Sequence, residues 1–250
     1  MKKKILIFTG AGVSKESGIA TFRDSADSLW NNHRIEDVAT IDAWRKNREL
    51  VLDFYNERRA QLYKVIPNSA HNIIADLEKD FDVTVVTQNV DDLHERAGST
   101  KIVHLHGELK KSRSTFPGST EVYDCPGDIN LGDKCPRGAQ LRPHIVWFGE
   151  NLDGQNIDKA TIAANECDIC IIVGTSLQVY PASQLPLLTK PDCDIYYIDP
   201  GPEVLLQRFT DNESRWVDDV EYVAYTHIKE PATTGMVNVA EILRADGNRY

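Results

Sequence analysis

The chain has 250 residues, 41% hydrophobic and 26% charged, which is typical of one soluble globular domain with room for a small insert. Its formal net charge of −10 argues against the phosphate backbone of a nucleic acid as the main partner, and permits a basic peptide or a soluble metabolite. Its apolar stretches are too short for a membrane span, and the run at residues 5–8 is too short for a signal peptide. Five cysteines in a chain this long fit a reducing compartment better than a disulfide framework, so we expect a cytoplasmic protein.

Strand-like and helix-like segments alternate along the chain. Four runs are continuously apolar and end in turn-forming residues, namely KKILIFTG, FDVTVVTQN, CDICIIVGTS and DIYYIDP. Such runs are typical of strands that helices cover on both faces. Helical periodicity follows in residues 44–65, 70–80 and 237–245. The alternation predicts the α/β class, with a doubly wound parallel sheet.

Two segments interrupt this alternation. Residues 25–68 are mostly helical and polar, and residues 108–143 are rich in Gly, Pro, Ser and Asp with little periodicity. Loops of this length inside a compact domain are usually functional or form a module of their own. We therefore predict a single catalytic domain in which these two insertions build a small lobe. The large lobe would comprise residues 1–24, 69–107 and 144–250.

The first predicted strand runs into a glycine-rich stretch, TGAGVSKESGIATFR. It lacks the third glycine of the G-x-G-x-x-G dinucleotide fingerprint, and it does not fit the Walker pattern. Gly10 and Gly12 would still let the backbone approach a pyrophosphate closely. Ser14 and Ser17 could cap a following helix whose N-terminus favours an anion. A tight strand-to-helix turn without any ligand is the alternative interpretation.

Five stretches then occur in a fixed order, GAGVSKESGIATFR, TQNVDDLHERAG, HLHGEL, RPHIVWFGE and GTSLQVYPA. Together they closely resemble the sirtuin family of NAD-dependent protein-lysine deacylases, over residues of about 4 to about 245. The resemblance implies a Rossmann-like large lobe and a cleft that NAD and an acyl-lysine peptide enter from opposite sides. In this family the acyl oxygen attacks the nicotinamide ribose, nicotinamide leaves, and a histidine activates a ribose hydroxyl. The products are free lysine and O-acyl-ADP-ribose.

The resemblance also implies the catalytic residues. His106, in HLHGEL, is expected to be the general base, because a neutral imidazole can accept a proton at physiological pH. Asn89 and Asp91 are expected to act beside it in the nicotinamide and ribose pocket. The remaining buried-type histidines, His71, His94 and His104, are interpreted as hydrogen-bonded structural residues.

The resemblance places the NAD contacts at the ends of several strands. Asp199 stands where most sirtuins carry Asn, and its carboxylate can accept both hydroxyls of the adenosine ribose. Ala20 is a second departure, since the family has Pro there. The predicted cofactor-binding residues are Gly10, Ala11, Gly12, Ser17, Phe22, Arg23, Gln88, Asn89, Asp91, Gly174, Thr175, Ser176, Asp199 and Ala232.

The substrate side rests on two further features. The segment RPHIVWFGE matches the family's peptide-binding segment, whose backbone pairs with the substrate as an added strand. The residues assigned to that role are Val146, Phe148, Gly149 and Glu150.

Tyr55 and Arg58 stand at i and i+3 of a predicted helix and so share one face. A solvated helix face is the ordinary interpretation of such a pair. The desuccinylase-like class III of sirtuins, however, has Tyr and Arg here, and Ala39 matches the small residue with which that class widens its acyl pocket. Because Arg offers a bidentate fork to a carboxylate, we expect succinyl, malonyl or glutaryl lysine as the substrate.

Other functions stay open on the same fold. The chain could be an NAD glycohydrolase or ADP-ribosyltransferase, or a non-catalytic module that binds NAD or ADP-ribose. The intact HLHGEL and QN-V-D motifs favour a deacylase. The protein targets and the oligomeric state are left open.

No metal site is predicted. Cys167 and Cys170 have the spacing of a metal knuckle, but residues three apart on a strand point to opposite faces, so we interpret them as core thiols. Sirtuins usually hold a zinc ion with two C-x-x-C pairs. In the corresponding region this chain has only Cys125 and Cys135, whereas a structural zinc takes four ligands. We therefore expect NAD as the cofactor and no zinc.

Overall fold

The computed structural model describes residues 2–20, 33–210 and 219–247, so the predicted cofactor residues Phe22 and Arg23 lie outside the described part. In chain order the elements are β1 (Lys4–Thr9), α1 (Gly12–Lys15), α2 (Ile35–Val38), α3 (Ile41–Lys46), α4 (Arg48–Leu62), α5 (Ser69–Leu77), β2 (Asp82–Thr87), α6 (Leu93–Ala97), β3 (Ile102–His104), β4 (Gly107–Ser114), β5 (Val122–Asp124), β6 (Leu141–Ile145), α7 (Gly154–Glu166), β7 (Ile169–Val173), a 3₁₀ helix (Ala182–Leu188), β8 (Asp194–Ile198), β9 (Gln207–Thr210), β10 (Asp219–Tyr222), β11 (Thr226–Ile228) and α8 (Ala232–Gly247).

A six-stranded sheet in the order β11-β8-β7-β1-β2-β3 forms the centre, and every neighbouring pair in it is parallel. The four predicted strands are confirmed as β1, β2, β7 and β8. The other two strands of this sheet, β3 and β11, were not predicted from the sequence, and each has only three residues. Strand order reverses direction about β1, and ligands of such sheets bind at the carboxyl ends of the strands beside this switch point.

Alternate residues of β1 enter two separate cores because successive side chains of a strand point to opposite faces. Ile5 and Ile7 pack in one cluster with residues of α5 and α8. Leu6 and Phe8 pack in the other, with α7 and the 3₁₀ helix. The sheet is therefore covered on both sides, as its continuously apolar strands predict.

The predicted helix at residues 44–65 is in fact two helices, α3 and α4. Asn47 separates them with a non-helical backbone (φ −147°, ψ 81°), and its side chain accepts a hydrogen bond of 3.1 Å from the amide of Leu50. An Asn side chain that caps the amides of a following helix favours a new helix start over a continuous one. Helix α8 begins at Ala232, ahead of the predicted start at residue 237.

Residues 108–143 hold more regular structure than their composition indicates. Strands β4, β5 and β6 form an antiparallel sheet in the order β5-β4-β6, with a register shift between Glu108 and Ser112. Trp44 and Phe54 of the first insertion share one apolar cluster with Leu109 and Trp147. The two insertions thus pack against each other, and their division from the large lobe stays a prediction.

Side-chain amides hold the irregular part of the second insertion. Asn56 on α4 bonds both backbone groups of Ile129, donating to its carbonyl and accepting from its amide, each at 3.0 Å. The Gln140 amide accepts from the amide of Gly132 at 2.8 Å and donates to the carbonyl of Asn130 at 2.9 Å. These bonds fix the backbone of residues 129–132, in addition to the packing of the apolar side chains in this insertion.

Four of the five cysteines are buried thiols, and Cys193 is partly exposed. Cys167 and Cys170 are 1% and 0% exposed, which confirms the core interpretation. The argument from opposite faces was wrong, since Cys167 precedes β7 and both thiols enter the same cluster. The Cys125 thiol donates to the carbonyl of Gly127, and the Cys135 sulfur accepts from the Ser114 hydroxyl at 3.1 Å.

Among the described residues, no group of three or more His, Cys, Asp or Glu side chains is placed to hold a metal ion. Within the same ranges, helices long and apolar enough to cross a membrane are lacking. The expected lack of zinc stays a prediction.

Candidate active site

A cavity of about 1230 Å³ opens at the carboxyl ends of the central strands. Loops after β1, β2, β7 and β8 line it on one side, and α4 and the segment after β6 line it on the other. Most of the predicted site residues meet there: Gly10, Ala11, Gly12, Ala39, Tyr55, Arg58, Gln88, Asn89, Asp91, His106, Val146, Phe148, Gly149, Glu150, Gly174, Thr175, Ser176, Asp199 and Ala232.

The glycines of the first loop are required by a neighbouring loop. The amide of Gly12 donates to the carbonyl of Gly174 at 2.8 Å. A Cβ on Gly12 would lie 2.7 Å from Cα of Gly174, and one on Gly10 would lie 2.6 Å from Cβ of Thr175. Gly174 also has φ +60°, a left-handed conformation that glycine adopts at least cost. These glycines thus bring the loops after β1 and β7 into contact, a role that the phosphate argument did not foresee.

Ser14 and Ser17 do not act as the predicted helix caps. Helix α1 is a single turn with Ala11 at its N-cap, and no side chain caps it. Ser17 is not among the residues lining the cavity, so its predicted cofactor contact gains no support from the described part of the chain.

Ser14 is instead the centre of a buried polar cluster, which was not predicted from the sequence. Its hydroxyl donates to Oδ2 of Asp91 at 2.9 Å and accepts from Nδ2 of Asn89 at 3.0 Å. Asp91 Oδ1 accepts from the amide of Leu93 at 3.1 Å. Burial raises the pKa of Asp91, and the bonds from Leu93 and Ser14 oppose that rise. Both predicted polar residues, Asn89 and Asp91, are therefore held rigidly at the cavity wall.

The His106 ring has its tautomer set by a backbone carbonyl. Its Nδ1 lies 2.9 Å from the carbonyl oxygen of Gln88, which can only accept, so Nδ1 carries the proton. The Nε2 atom of the neutral ring then presents a lone pair. Burial lowers the pKa of His106, and the bond to Gln88 offsets this only in part. The ring is therefore neutral at physiological pH, and its Nε2 lone pair can accept a proton, as a general base requires.

Two further histidines lie below the cavity in the core. His71 Nε2 is 3.4 Å from the Ser14 hydroxyl, and burial lowers the pKa of His71 to about 4. His94 Nε2 is 3.2 Å from the Thr9 hydroxyl, and burial lowers its pKa well below the usual value. Both are neutral, hydrogen-bonded core residues, as the sequence interpretation expected.

Tyr55 and Arg58 line the other end of the cavity with Ala39. The Trp147 indole donates to the Tyr55 hydroxyl at 3.0 Å, and burial raises the pKa of Tyr55 to about 12. The phenol therefore keeps its proton as a donor. Burial lowers the pKa of Arg58, while Tyr55 and Asp91 oppose that effect; arginine remains a cation throughout. The solvated-face interpretation of this pair is wrong, because Tyr55 is only 3% exposed.

The predicted peptide segment is already partly paired with the first insertion. The Phe148 amide donates to the carbonyl of Ala39 at 3.0 Å, and the Phe148 carbonyl accepts from the amide of Ile41 at 3.1 Å. Any contact from Phe148 to a peptide would thus use its half-exposed ring, and strand addition would have to use neighbouring backbone groups such as those of Gly149.

Glu150 turns its carboxylate inward, away from the backbone role in peptide binding that the resemblance implies, and that backbone role stays a prediction. Oε1 accepts from Nη1 of Arg142 at 2.6 Å, and Oε2 accepts from Nη2 of Arg142 at 2.8 Å and of Arg113 at 2.9 Å. Oε2 also accepts from the amide of Trp147 at 3.0 Å. Burial alone would raise the pKa of Glu150, but the Arg142 pair lowers it. Glu150 therefore organises the wall of the cavity.

Comparison with known proteins decides the family. The model of the Sir2 family matches residues 10–181. The chain belongs to the Sir2 family, the sirtuins. It is 52% identical over 198 residues to a protein of Helicobacter pylori (strain ATCC 700392 / 26695) named NAD-dependent protein deacylase, covering 79% of this chain and 85% of that protein.

Solved sirtuin structures have the same fold. A mutant Sir2 homologue in complex with ADP-ribose has a TM-score of 0.82 and 34% identity, covering 100% of this chain and 95% of that chain. A Sir2 homologue in complex with NAD has a TM-score of 0.80 and 35% identity, covering 98% and 91%. The Rossmann-like α/β fold that the resemblance implied is thereby confirmed.

The cavity of this sirtuin fits NAD. Two glycine loops border it, and at its far end Asp199 follows β8, with Oδ1 accepting from the amide of Gly201 at 2.8 Å. A carboxylate at the end of a strand is the usual acceptor for ribose hydroxyls in such folds. Ala232, at the start of α8, lines the same end. NAD is the cofactor, and the contacts of its individual groups stay predictions.

Proposed function

We propose that this chain is an NAD-dependent protein-lysine deacylase that prefers acyl groups ending in a carboxylate, such as succinyl, malonyl or glutaryl. One observation carries the proposal: the neutral His106 and the Tyr55–Arg58 pair line the same cavity as the two glycine loops. The relative named NAD-dependent protein deacylase supports the reaction class. The acyl preference rests on the cavity residues alone.

His106 is the group that would move a proton. Its Nδ1–H is committed to Gln88, so Nε2 is the atom that accepts. Bound NAD supplies a glycosidic bond whose cleavage activates the acyl group. Asn89 and Asp91, fixed by Ser14, would orient polar groups beside that bond. Positioned general bases typically contribute ~10²–10⁴-fold to a rate.

Arg58 and Tyr55 would select the acyl chain. Arg58 and Tyr55 both line the cavity, and the burial that raises the pKa of Tyr55 also strengthens charge interactions at that point. A carboxylate can accept from both groups, whereas an acetyl methyl can accept from neither. A hydrogen bond to a charged group contributes ~1.5–3 kcal/mol, which corresponds to ~10- to 150-fold in preference.

The test is turnover of one peptide that carries acetyl, succinyl, malonyl or glutaryl lysine, with NAD, for wild type and Arg58→Met. We expect the acidic acyl groups to be preferred by wild type, and Arg58→Met to lose ~10- to 150-fold on them with little change on acetyl. Arg48→Met is the matched control, since Arg48 is exposed at the start of the same helix and does not line the cavity.

Two results would contradict the proposal at different levels. Equal loss by Arg58→Met on acetyl and succinyl peptides would refute the acyl preference and leave the deacylase. Nicotinamide release that does not depend on an acylated peptide would instead support an NAD glycohydrolase.

A further inference from the structure

Three consecutive backbone carbonyls, at the end of β2 and in the loop after it, are held by three consecutive residues of the HLHGEL stretch. The amide of Leu105 donates to the carbonyl of Thr87 at 2.9 Å. His106 Nδ1 lies 2.9 Å from the carbonyl of Gln88. His104 Nδ1 lies 3.1 Å from the carbonyl of Asn89. The loop that carries Asn89 and the segment that carries the base are thus joined at every residue.

The second nitrogen of His104 has a different partner. Nε2 lies 2.6 Å from Oε1 of Glu95 on α6, and the His104 side chain is only 9% exposed. Asn156 on α7 donates to the backbone carbonyl of His104 at 3.0 Å and holds the residue from the other side. Since a carboxylate and a carbonyl can only accept, the ring satisfies both partners only as an imidazolium, in which both nitrogens carry protons.

We propose that His104, oriented by Glu95, is a positioning residue for the deacylation reaction: its Nδ1–H holds the Asn89 carbonyl and thereby fixes the Asn89 side chain relative to the His106 base. The inference rests on the proposed function and adds to it a residue that lies outside the cavity wall. It also assigns an alkaline limit to the activity.

That limit follows from the charges that face His104. Burial alone would lower the pKa of His104, but the bond and charge of Glu95 raise it above the usual value, with smaller contributions from the Asn89 carbonyl and from Glu108 on β4. Lys111 on β4 faces Glu95 and weakens its effect, and Asp91 and His94 lie within electrostatic range of the ring.

Below this raised pKa, His104 donates to both partners. As pH rises through it, one proton leaves, and the Glu95 carboxylate retains the other on Nε2. The Nδ1 lone pair then faces the Asn89 carbonyl, and that carbonyl loses its hydrogen bond, while the carbonyls of Thr87 and Gln88 keep theirs. Activity should therefore be full below the raised pKa and fall above it, whereas the loss of the His106 base at low pH forms the acid limit.

The test compares kcat, KM for NAD and thermal stability across pH for the full chain and four variants. His104→Leu removes the donor, and we expect kcat at pH 7 to fall ~10-fold, as for a lost charged hydrogen bond. His104→Asn places an amide donor near the position of Nδ1 without titrating, so we expect it to restore most of kcat and to lack the alkaline fall. Glu95→Gln lets the neutral ring keep its proton on Nδ1, and we expect near-normal kcat with the alkaline fall lost.

Glu108→Gln is the matched control, because it removes a carboxylate that faces His104 without bonding to it. We expect this variant to keep the alkaline fall. A purely structural role for His104 would lower thermal stability and leave the pH profile unmoved. An ¹⁵N NMR titration of the His104 ring, in wild type and Glu95→Gln, reports its pKa without turnover, and we expect a lower pKa in the variant.

The inference is overturned if wild type and Glu95→Gln share one pH profile, or if His104→Leu keeps full kcat. Wild-type protein that turns over no acyl peptide would overturn the proposed function and this inference together. Wild-type turnover with unmoved variant profiles would overturn the inference alone.

Discussion

Replacing Glu150 by alanine tests whether this residue organises the cavity wall or contacts substrate. Its carboxylate accepts four hydrogen bonds, from two nitrogens of Arg142, one of Arg113 and the amide of Trp147. The Arg142 side chain is only 6% exposed, and its guanidinium lies 3.4 Å from the centre of the Trp147 ring. Glu150→Ala would leave this buried cation without its carboxylate.

The size of the effect follows from that burial. Removing one partner of a buried ion pair typically costs ~3–5 kcal/mol of unfolding free energy, because the other charge stays desolvated. For a chain of this length each kcal/mol lowers Tm by ~2–4 °C, so we expect a fall of roughly 6–20 °C. Because Trp147 also donates to the Tyr55 hydroxyl, we expect KM for an acidic acyl peptide to rise as well.

The assay is thermal unfolding together with KM and kcat for a succinyl peptide. Glu166→Ala is the control, since its ion pair with Lys4 is about half exposed and such pairs contribute only ~0–1 kcal/mol. Unchanged Tm in Glu150→Ala, with KM raised, would refute the structural role and favour a contact between the carboxylate and the substrate.

Three further predictions concern the base and the metal. His106→Ala should lower deacylation ~10²–10⁴-fold with the fold intact, while His144→Ala, outside the cavity lining, should not. Because burial lowers the pKa of His106, wild-type activity should persist below pH 6.5 and be lost only as pH falls through that lowered pKa; an acid limb at or above 6.5 would contradict this. Elemental analysis of protein purified without a metal-affinity tag should find no stoichiometric zinc, and chelation should leave activity and Tm unchanged. One zinc per chain, with unfolding when it is stripped, would show that Cys125 and Cys135 have metal partners.

Local sequence determined the parts of this protein that depend on neighbours along the chain. Continuous apolar runs sufficed for β1, β2, β7 and β8, because a strand buried on both faces must be apolar at every position. Five ordered motifs sufficed for the family and for many of the residues that meet in the cavity, whereas Ala39, Tyr55, Arg58, Asp199 and Ala232 were placed by the wider resemblance to the family. Short strands such as β3 carry too few residues to show a pattern, and so they were missed.

Contacts between residues distant in sequence were decided only by the tertiary structure. The local sequence predicts that Ser14 caps a helix, yet its hydroxyl hydrogen-bonds Asn89 and Asp91, which lie on another loop. Glu150 is predicted as part of a peptide-binding segment through its backbone, and only the fold brings its carboxylate against Arg113 and Arg142. Gly12 has no room for a side chain, because a Cβ there would clash with the backbone of Gly174. A hydrogen bond or a steric contact depends on which loops the sheet brings to one edge, and a single sequence holds no record of that distance.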